Sequence, residues 1–271
     1  MWCLAGCRTP TYSGFELNLS IHLRKNWPLH TMSTALILGA TGAVGKNLLR
    51  ELLASDQWSK VGEYGRRVTP EADLPQNRGK LEQKTLDFEN LQEAGLKDGR
   101  WDVVFVTLGT TRANAGSADM FEKIDREYVV NACKAAKTDD PEHKQRVVYL
   151  SSGGANPSSS FLYMRSKGLT ELGIARLGYA DTIVFRPGFL KGAQRAHIRL
   201  AETIAGYVTG IASHFTSNAE IHVSVLAKAI VKAGALGSTN LPPAAGATKA
   251  GQEDAWFTLI ENKGALALGQ E

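Results

Sequence analysis

The feature that most constrains the fold is a glycine-rich turn between a short apolar run and a helical pattern. The apolar run covers residues 35–38, and the turn that follows carries Gly39, Gly42 and Gly45. An amphipathic stretch then continues to residue 53. A turn of this composition between a buried strand and a helix is typical of a βαβ unit. The core of the chain is therefore expected to begin with a parallel strand at residue 35.

The rest of the chain repeats the alternation of apolar runs and helical patterns. Further strands are predicted at residues 61–64, 82–88, 103–108, 147–150 and 182–185, and helices at 120–136 and 163–177. This alternation predicts an α/β fold, a Rossmann-type doubly wound parallel sheet with helices on both faces. Helical patterns at 197–211 and 223–235 and a strand pattern at 255–260 follow. We expect the elements after about residue 189 to close the substrate side.

Length and composition favour a single Rossmann-type domain over residues 33–271, since an α/β sheet often reaches this size as one unit. The net charge of +4 comes from 31 basic and 27 acidic residues, with no basic block long enough to follow a nucleic-acid backbone. The three cysteines include no second close pair that would complete a zinc motif. No window approaches the roughly eighteen apolar residues that span a bilayer. We therefore expect no metal, no nucleic acid and at most peripheral membrane association.

The first 32 residues differ from the rest and leave two interpretations open. Residues 15–23 alternate apolar and polar side chains as a strand does, and the segment carries Arg8, Arg24 and Lys25 against one acid, Glu16. This basic composition favours a targeting segment, although such segments are usually helical and nearly free of acids. The alternative is a mispredicted start, with the natural beginning at Met32. Under either interpretation, residues 1–32 form an extension that the core does not need.

Each glycine of the turn has a separate part in binding a phosphate group. Gly39 permits a tight turn, Gly42 lets the backbone approach a pyrophosphate, and Gly45 permits close packing of the helix on the sheet. The helix N-terminus offers unpaired N–H groups to the anion. The position of the turn at the start of a βαβ series predicts dinucleotide binding, against the alternative of a plain tight turn.

The residues after the second predicted strand indicate which dinucleotide is bound. An NAD site usually has a carboxylate there for the ribose 2′-hydroxyl. This chain has Arg66 and Arg67 instead, directly after Gly65. A guanidinium can bind a 2′-phosphate as a fork, whereas a carboxylate would repel it. The pair predicts NADP (NADPH) as the cofactor, against the alternative of a solvated surface pair.

A phenol and an ammonium lie one helical turn apart in the helix predicted at 163–177. Tyr163 and Lys167 are four residues apart and hence on one face. A neighbouring cation favours a phenolate, so Lys167 is expected to make Tyr163 an effective acid and base. The strand at 147–150 ends in Ser151 and Ser152, where a hydroxyl could bind a substrate carbonyl. Together with the glycine-rich turn, this order predicts hydride transfer with proton transfer to or from an alcohol or carbonyl oxygen.

With these motifs, the chain resembles the short-chain dehydrogenase/reductase superfamily over roughly residues 35–190. More narrowly, it is similar to the atypical Tat-interacting-protein oxidoreductase-like group and to a fungal, mitochondria-associated branch of that group. The runs that carry the narrower resemblance are residues 39–45, 65–67, 108–116, 158–167 and 185–188.

The resemblance implies roles for individual residues. Tyr163 and Lys167 would be catalytic and would also contact the cofactor, while Arg66 and Arg67 would bind the 2′-phosphate. The phosphates would be lined by four residues of the turn, Thr41, Gly42, Ala43 and Val44. The adenine-side ribose, the adenine and other parts of the cofactor would be approached by Leu108, Gly109, Asp87, Leu190 and Arg199.

Two features depart from the best-known members of the superfamily. Those members have an asparagine-containing motif after the fourth strand, whereas residues 108–111 of this chain contain no asparagine. Their serine also precedes the tyrosine by a longer interval than the eleven residues between Ser152 and Tyr163. The choice between Ser151 and Ser152 therefore stays open, with Ser152 preferred as the catalytic serine.

The predicted function is that of an NADP-dependent oxidoreductase that acts on an unknown carbonyl or alcohol substrate. Tyr163 would be the general acid in carbonyl reduction, Lys167 would support it and bind the nicotinamide ribose, and Ser152 would orient the substrate oxygen. The alternative is a non-catalytic NADPH-binding protein that regulates or recruits a protein partner, because a cofactor pocket does not prove catalysis. The resemblance implies a mitochondrial location, with the outer-membrane surface or the cytoplasm as further options.

Overall fold

Strands and helices alternate along the described chain, which covers residues 32–192 and 220–270 of the computed structural model. The strands are β1 (Ser33–Leu38), β2 (Trp58–Gly65), β3 (Leu81–Thr85), β4 (Val103–Val106), β5 (Arg146–Leu150), β6 (Asp181–Arg186), β7 (Phe189–Lys191), β8 (Glu220–His222), β9 (Thr248–Gln252) and β10 (Ala255–Glu261). The helices are α1 (Ala43–Ala54), α2 (Arg112–Ala115), α3 (Ala118–Glu122), α4 (Tyr128–Ala136), α5 (Leu162–Ala175), α6 (Val223–Leu236) and α7 (Asn262–Gln270). A π-helical turn, Lys123–Glu127, joins α3 to α4. The extension before Met32 and the helix predicted at 197–211 lie outside the described residues.

Eight of these strands form one sheet in the order β3-β2-β1-β4-β5-β6-β10-β9. Neighbouring strands are parallel except β9, which is antiparallel to β10. The chain changes direction across the sheet between β1 and β4, and open α/β sheets bind ligands beyond the carboxyl ends of the strands at such a point. The predicted fold class, a Rossmann-type doubly wound sheet, is confirmed.

Alternate side chains of each strand pack into separate apolar layers on the two faces of the sheet. In β1, Ala35 and Ile37 belong to one layer, and Leu36 and Leu38 belong to the other. The first layer contains buried residues of α1, α6 and α7, and the second contains buried residues of α4 and α5. Helices therefore cover both faces, which explains why the inner strands are apolar throughout rather than alternating.

Two predicted strands end earlier than their apolar patterns. β4 ends at Val106 rather than at residue 108, and β3 ends at Thr85 rather than at residue 88. After β3, the Asp87 carboxylate accepts hydrogen bonds from the backbone N–H of Glu89 at 3.0 Å and from the side-chain amide of Asn90 at 2.7 Å. These contacts close a turn, so local side-chain chemistry overrides the apolar pattern.

The C-terminal elements mostly extend the main sheet and its helical layer. β10 pairs with β6, β9 adds an antiparallel edge, and α7 packs against α6. By contrast, β7 and β8 form a separate two-stranded parallel sheet. Of the described strands from residue 189 onward, these two are the ones placed outside the main sheet.

Candidate active site

The glycine-rich turn joins β1 to α1 and runs close to the loop after β4. Gly39 has a φ of +99°, in the left-handed region that favours glycine. A Cβ at residue 39 would lie 2.8 Å from the backbone nitrogen of Leu108, and a Cβ at Gly45 would lie 2.1 Å from the Gly39 carbonyl oxygen. Because both contacts are with backbone atoms, glycine at residue 39 lets the turn approach the loop after β4, and glycine at residue 45 lets α1 pack against the turn.

The first turn of α1 offers backbone donors to an anion. Gly42 is the N-cap residue, its N–H donates to the Gly39 carbonyl at 3.0 Å, and no side chain caps the helix. Thr41 and Ala43 are half-buried, Val44 is buried, and the first turn contains no acidic residue. The N–H groups that begin a helix have no intrahelical acceptors, and the helix dipole favours negative charge beside them. This terminus therefore suits a phosphate group.

Arg66 and Arg67 follow β2 at the same carboxyl edge of the sheet, and both are exposed. Neither side chain makes a hydrogen bond or ion pair with the part of the chain that the structure describes. The preceding acid, Glu63, is buried, and its carboxylate accepts hydrogen bonds from Thr69 N–H and hydroxyl, both at 2.7 Å, and from the Gln83 amide at 2.8 Å. Glu63 is thus engaged in the interior, and the two guanidinium groups are the charges exposed at this strand end.

Three more residues of the predicted cofactor site follow β3 and β4. Asp87 is exposed, and the hydrogen bond from the Glu89 N–H, followed by that from Asn90, lowers the pKa of its carboxyl. Leu108 is half-buried and Gly109 is exposed in the loop after β4. All three lie at carboxyl ends of parallel strands, so the sheet brings them to the edge that carries the glycine-rich turn.

Tyr163 and Lys167 lie one turn apart on α5, as their spacing predicts. Tyr163 is half-buried, and its ring centroid lies 6.0 Å from that of Phe121. The Lys167 Nζ atom lies 5.9 Å from the centroid of the Tyr163 ring. A lysine ammonium at this distance is attracted by the aromatic ring, so the structure brings the phenol and the cation together.

Lys167 is buried and has two polar partners that the sequence motifs did not include. Its Nζ atom lies 3.0 Å from Asp125 Oδ1 and donates to the Tyr149 hydroxyl at 3.3 Å. Burial alone would lower the pKa of Lys167, but the Asp125 carboxylate and the Tyr149 and Tyr163 phenols raise it well above its usual value. Burial also raises the pKa of Tyr149. The site thus holds a protonated lysine beside a neutral Tyr149 phenol.

Two sequence signals could have identified these partners. Asp125 stands four residues after Phe121 and four before Val129, so it places a carboxylate on the apolar face of a helix, where a charge needs a buried partner. Tyr149 places a phenol inside the apolar run of β5, and a buried phenol usually finds a hydrogen-bond partner.

The two serines after β5 have different environments. Ser151 is buried, and its hydroxyl donates to Glu171 Oε1 at 2.5 Å; the same carboxylate accepts from Arg186 Nε at 2.9 Å. Ser152 is half-buried, and the contact of its hydroxyl within the described chain is the Gly153 carbonyl at 3.4 Å. The Ser151 hydroxyl is therefore held in an internal network, and that of Ser152 is held more weakly.

Two further residues, Leu190 and Arg199, were predicted to approach the cofactor. Leu190 lies in β7, opposite Ile221 of β8, and is half-buried. Arg199 lies outside the described residues.

Within the described ranges, no group of three or more histidine, cysteine or acidic side chains is arranged to hold a metal. No helix in those ranges has the length and apolar character needed to cross a membrane.

Sequence comparisons identify relatives that extend over most of the chain. The model of the NAD dependent epimerase/dehydratase family matches residues 35–166. Protein HTATIP2 of Rattus norvegicus is 34% identical over 253 residues, which cover 93% of this chain and 95% of the relative. The mitochondrial protein fmp52 of Emericella nidulans is 32% identical over 232 residues, which cover 83% of this chain and 95% of the relative.

Solved structures share the fold at low sequence identity. A short chain dehydrogenase/reductase of Saccharomyces cerevisiae gives a TM-score of 0.57 at 18% identity, covering 74% of this chain and 90% of the other. The Bordetella bronchiseptica enzyme WbmF, solved in complex with NAD+, gives a TM-score of 0.54 at 15% identity, covering 75% and 69%. The family resemblance drawn from the motifs is confirmed. The chain belongs to the group of proteins that contains Protein HTATIP2 and the fungal FMP52 proteins, and its residues 35–166 match the NAD dependent epimerase/dehydratase family.

Proposed function

We propose that the protein is an NADP-dependent oxidoreductase that interconverts a carbonyl group and an alcohol in a small molecule. Its family and fold support an oxidoreductase-type, nucleotide-binding protein. The observation that carries the finer proposal is the buried ammonium of Lys167, 5.9 Å from the ring of Tyr163 at the carboxyl edge of the sheet. A protein that only binds a dinucleotide has no need of a phenol with a buried cation beside it.

The residues at this edge fit NADP. The glycine-rich turn and the uncapped terminus of α1 suit the pyrophosphate. Arg66 and Arg67 are exposed and unpaired with the described residues, so they support binding of a 2′-phosphate. When bound, the reduced cofactor would supply the hydride for the carbonyl carbon, which no side chain can supply.

The side chains of the chain would bind and protonate the substrate. Tyr163 would donate its hydroxyl proton to the carbonyl oxygen as general acid. Lys167 would stabilise the phenolate that this leaves and would bind the nicotinamide ribose. Ser152 would donate a hydrogen bond to the same oxygen, because the Ser151 hydroxyl already donates to Glu171.

Turnover with a defined substrate panel tests the proposal. The purified chain is assayed for NADPH oxidation against aldehydes, ketones and quinones, alongside Tyr163→Phe and the control Tyr128→Phe, whose tyrosine lies at the start of α4. We expect turnover of at least one carbonyl, a loss of about 100-fold or more in Tyr163→Phe because the general acid is removed, and little change in the control. Tight NADPH binding with no turnover by any carbonyl would favour the non-catalytic alternative.

We also propose a mitochondrial location for this chain. The support is that fungal relatives are named mitochondrial, among them the FMP52 protein of Candida albicans, 39% identical over 182 residues. Cell fractionation with an antibody against the native chain checks this proposal, and recovery only in the cytosolic fraction contradicts it.

A further inference from the structure

The Lys167 ammonium is held by a carboxylate from a different element. Asp125 lies in the π-helical turn between α3 and α4, and its Oδ1 atom is 3.0 Å from Lys167 Nζ. The Asp125 side chain is 0% exposed and that of Lys167 is 5% exposed. Charges removed from water are costly unless they are paired, so each of these two groups depends on the other.

The backbone around Asp125 is arranged to hold the carboxylate in place. Its Oδ1 atom also accepts a hydrogen bond from the Thr110 N–H at 3.2 Å, in the loop after β4. The Asp125 carbonyl accepts from the Thr170 hydroxyl of α5 at 3.3 Å. A π-helical turn is a rare interruption that often occurs at functional sites. Here the turn lies between two α-helices, and Asp125 is the buried residue among its five.

We propose that Asp125 is a positioning residue for the tyrosine–lysine pair, which holds the Lys167 ammonium close to the loop after β4. Within the described chain, Lys167 donates to Asp125 and Tyr149, and an ammonium has three N–H donors. One donor is therefore left for a ligand hydroxyl. A Cβ at Gly109 would lie 3.4 Å from both Asp125 Oδ1 and Lys167 Nζ, so the loop after β4 passes close to the pair.

The titratable groups around Lys167 determine the expected effect of removing Asp125. Asp125 approaches from the π-helical turn, Tyr149 from β5 and Tyr163 from α5 itself. Burial opposes the lysine charge, and the negative charge of Asp125 leads the groups that outweigh burial. Without that charge, burial would dominate and the pKa of Lys167 would fall. The role of Asp125 in catalysis rests on the proposed function, but its effect on the protonation of Lys167 does not.

The test compares Asp125→Asn with Glu127→Gln, a matched control that removes an exposed acid from the same π-helical turn. The probe is the side-chain NMR signal of Lys167 in lysine-labelled protein, assigned with Lys167→Met. We expect the Lys167 titration midpoint to fall by about one unit or more in Asp125→Asn and to stay unchanged in the control. An unchanged or raised midpoint in Asp125→Asn overturns the proposal.

Two additional measurements keep the test decisive. In the wild type, the hydrogen-bonded ammonium should give a slowly exchanging Nζ–H signal near neutral pH, so its absence overturns the proposal even if Asp125→Asn does not fold. NADPH affinity in Asp125→Asn should decline with rising pH at the Lys167 midpoint, whereas wild-type affinity should be flat over that range. If wild type binds NADPH but turns over no carbonyl, the proposed function fails while the Lys167 titration still decides the role of Asp125.

Discussion

Gly45 of α1 lies so close to Gly39 that a side chain would displace the backbone. A Cβ there would be 2.1 Å from the Gly39 carbonyl oxygen. Gly45→Ala should therefore lower the free energy of unfolding by about 1–3 kcal/mol and weaken NADPH binding, because the turn must move. Gly79→Ala is the matched control, since a Cβ at residue 79 meets no atom within 4 Å. Thermal unfolding and NADPH titration check this; equal effects of both variants would contradict it.

Arg66 and Arg67 determine the expected choice between dinucleotides. The double variant Arg66→Ala/Arg67→Ala removes both guanidinium groups proposed to bind the 2′-phosphate. It should weaken NADPH binding by about 2 kcal/mol or more, since hydrogen bonds to charged groups contribute about 1.5–3 kcal/mol each. NADH lacks the 2′-phosphate, so its affinity should change little. Fluorescence titration with both nucleotides measures the difference, and equal losses for NADPH and NADH would refute the assignment.

At the scale of single residues, the sequence was informative where the chemistry is local. The spacing of Tyr163 and Lys167 placed them on one helix face, and the glycine pattern located the turn. The contact of Asp125 with Lys167 joins residues 42 positions apart and depends on a π-helical turn that a regular helical period does not predict. The difference between Ser151 and Ser152 likewise depends on Glu171, a long-range partner.

The buried carboxylate of Glu171 links α5 by hydrogen bonds to the loop after β5 and to the end of β6. This α5 residue accepts hydrogen bonds from Ser151 after β5 and from Arg186 at the end of β6. The Glu171 and Arg186 side chains are 1% and 20% exposed, so Glu171→Gln leaves a largely buried guanidinium without its hydrogen-bonded carboxylate. We expect a loss of about 3 kcal/mol.

Urea unfolding of Glu171→Gln measures this loss. Glu253→Gln, which changes an exposed acid between β9 and β10, serves as the control. A loss no larger than in Glu253→Gln would show that the network does not tie the loop after β5 to its neighbours.

The element pattern was predictable because buried parallel strands are short apolar runs between helical periods. The exceptions have physical reasons. β3 ends where the Asp87 side chain closes a turn. The edge strand β9 (Thr248–Gln252) is mostly exposed and contains no apolar run, so its sequence does not predict a strand. The three-residue strands β7 and β8 are too short to show a period.

Across the whole molecule, buried neutral groups predict a loss of stability in alkaline solution. Burial raises the pKa of the Cys133 thiol to about 12 and raises the pKa values of the Tyr149 and Tyr179 phenols. Unfolding lets these groups ionise, so their stabilisation is complete below their unfolded pKa values and is lost as the pH rises above them. The free energy of unfolding should therefore fall above about pH 9, where the unfolded thiol ionises first.

Cys133→Ala isolates the thiol in this effect. Each group that loses a proton only on unfolding contributes a slope of about 1.4 kcal/mol per pH unit. Urea unfolding at pH 8, 9 and 10 should show a decline that is smaller in Cys133→Ala than in wild type, by up to about 1.4 kcal/mol for each pH unit above 9. An identical decline in the two proteins would show that burial of Cys133 does not cause the loss of stability in alkaline solution.

For the whole molecule, we propose that Tyr163 and Lys167 act on a carbonyl beside bound NADPH. The most direct measurement is the transfer of deuterium from the reactive position of labelled NADPH to a carbonyl that is turned over, followed by mass spectrometry for wild type and Tyr163→Phe. We predict one deuterium on the carbon of the new alcohol, formed by wild type and at least about 100-fold more slowly by Tyr163→Phe. Saturating NADPH binding without label in any product, or equal rates for the two proteins, would contradict the account.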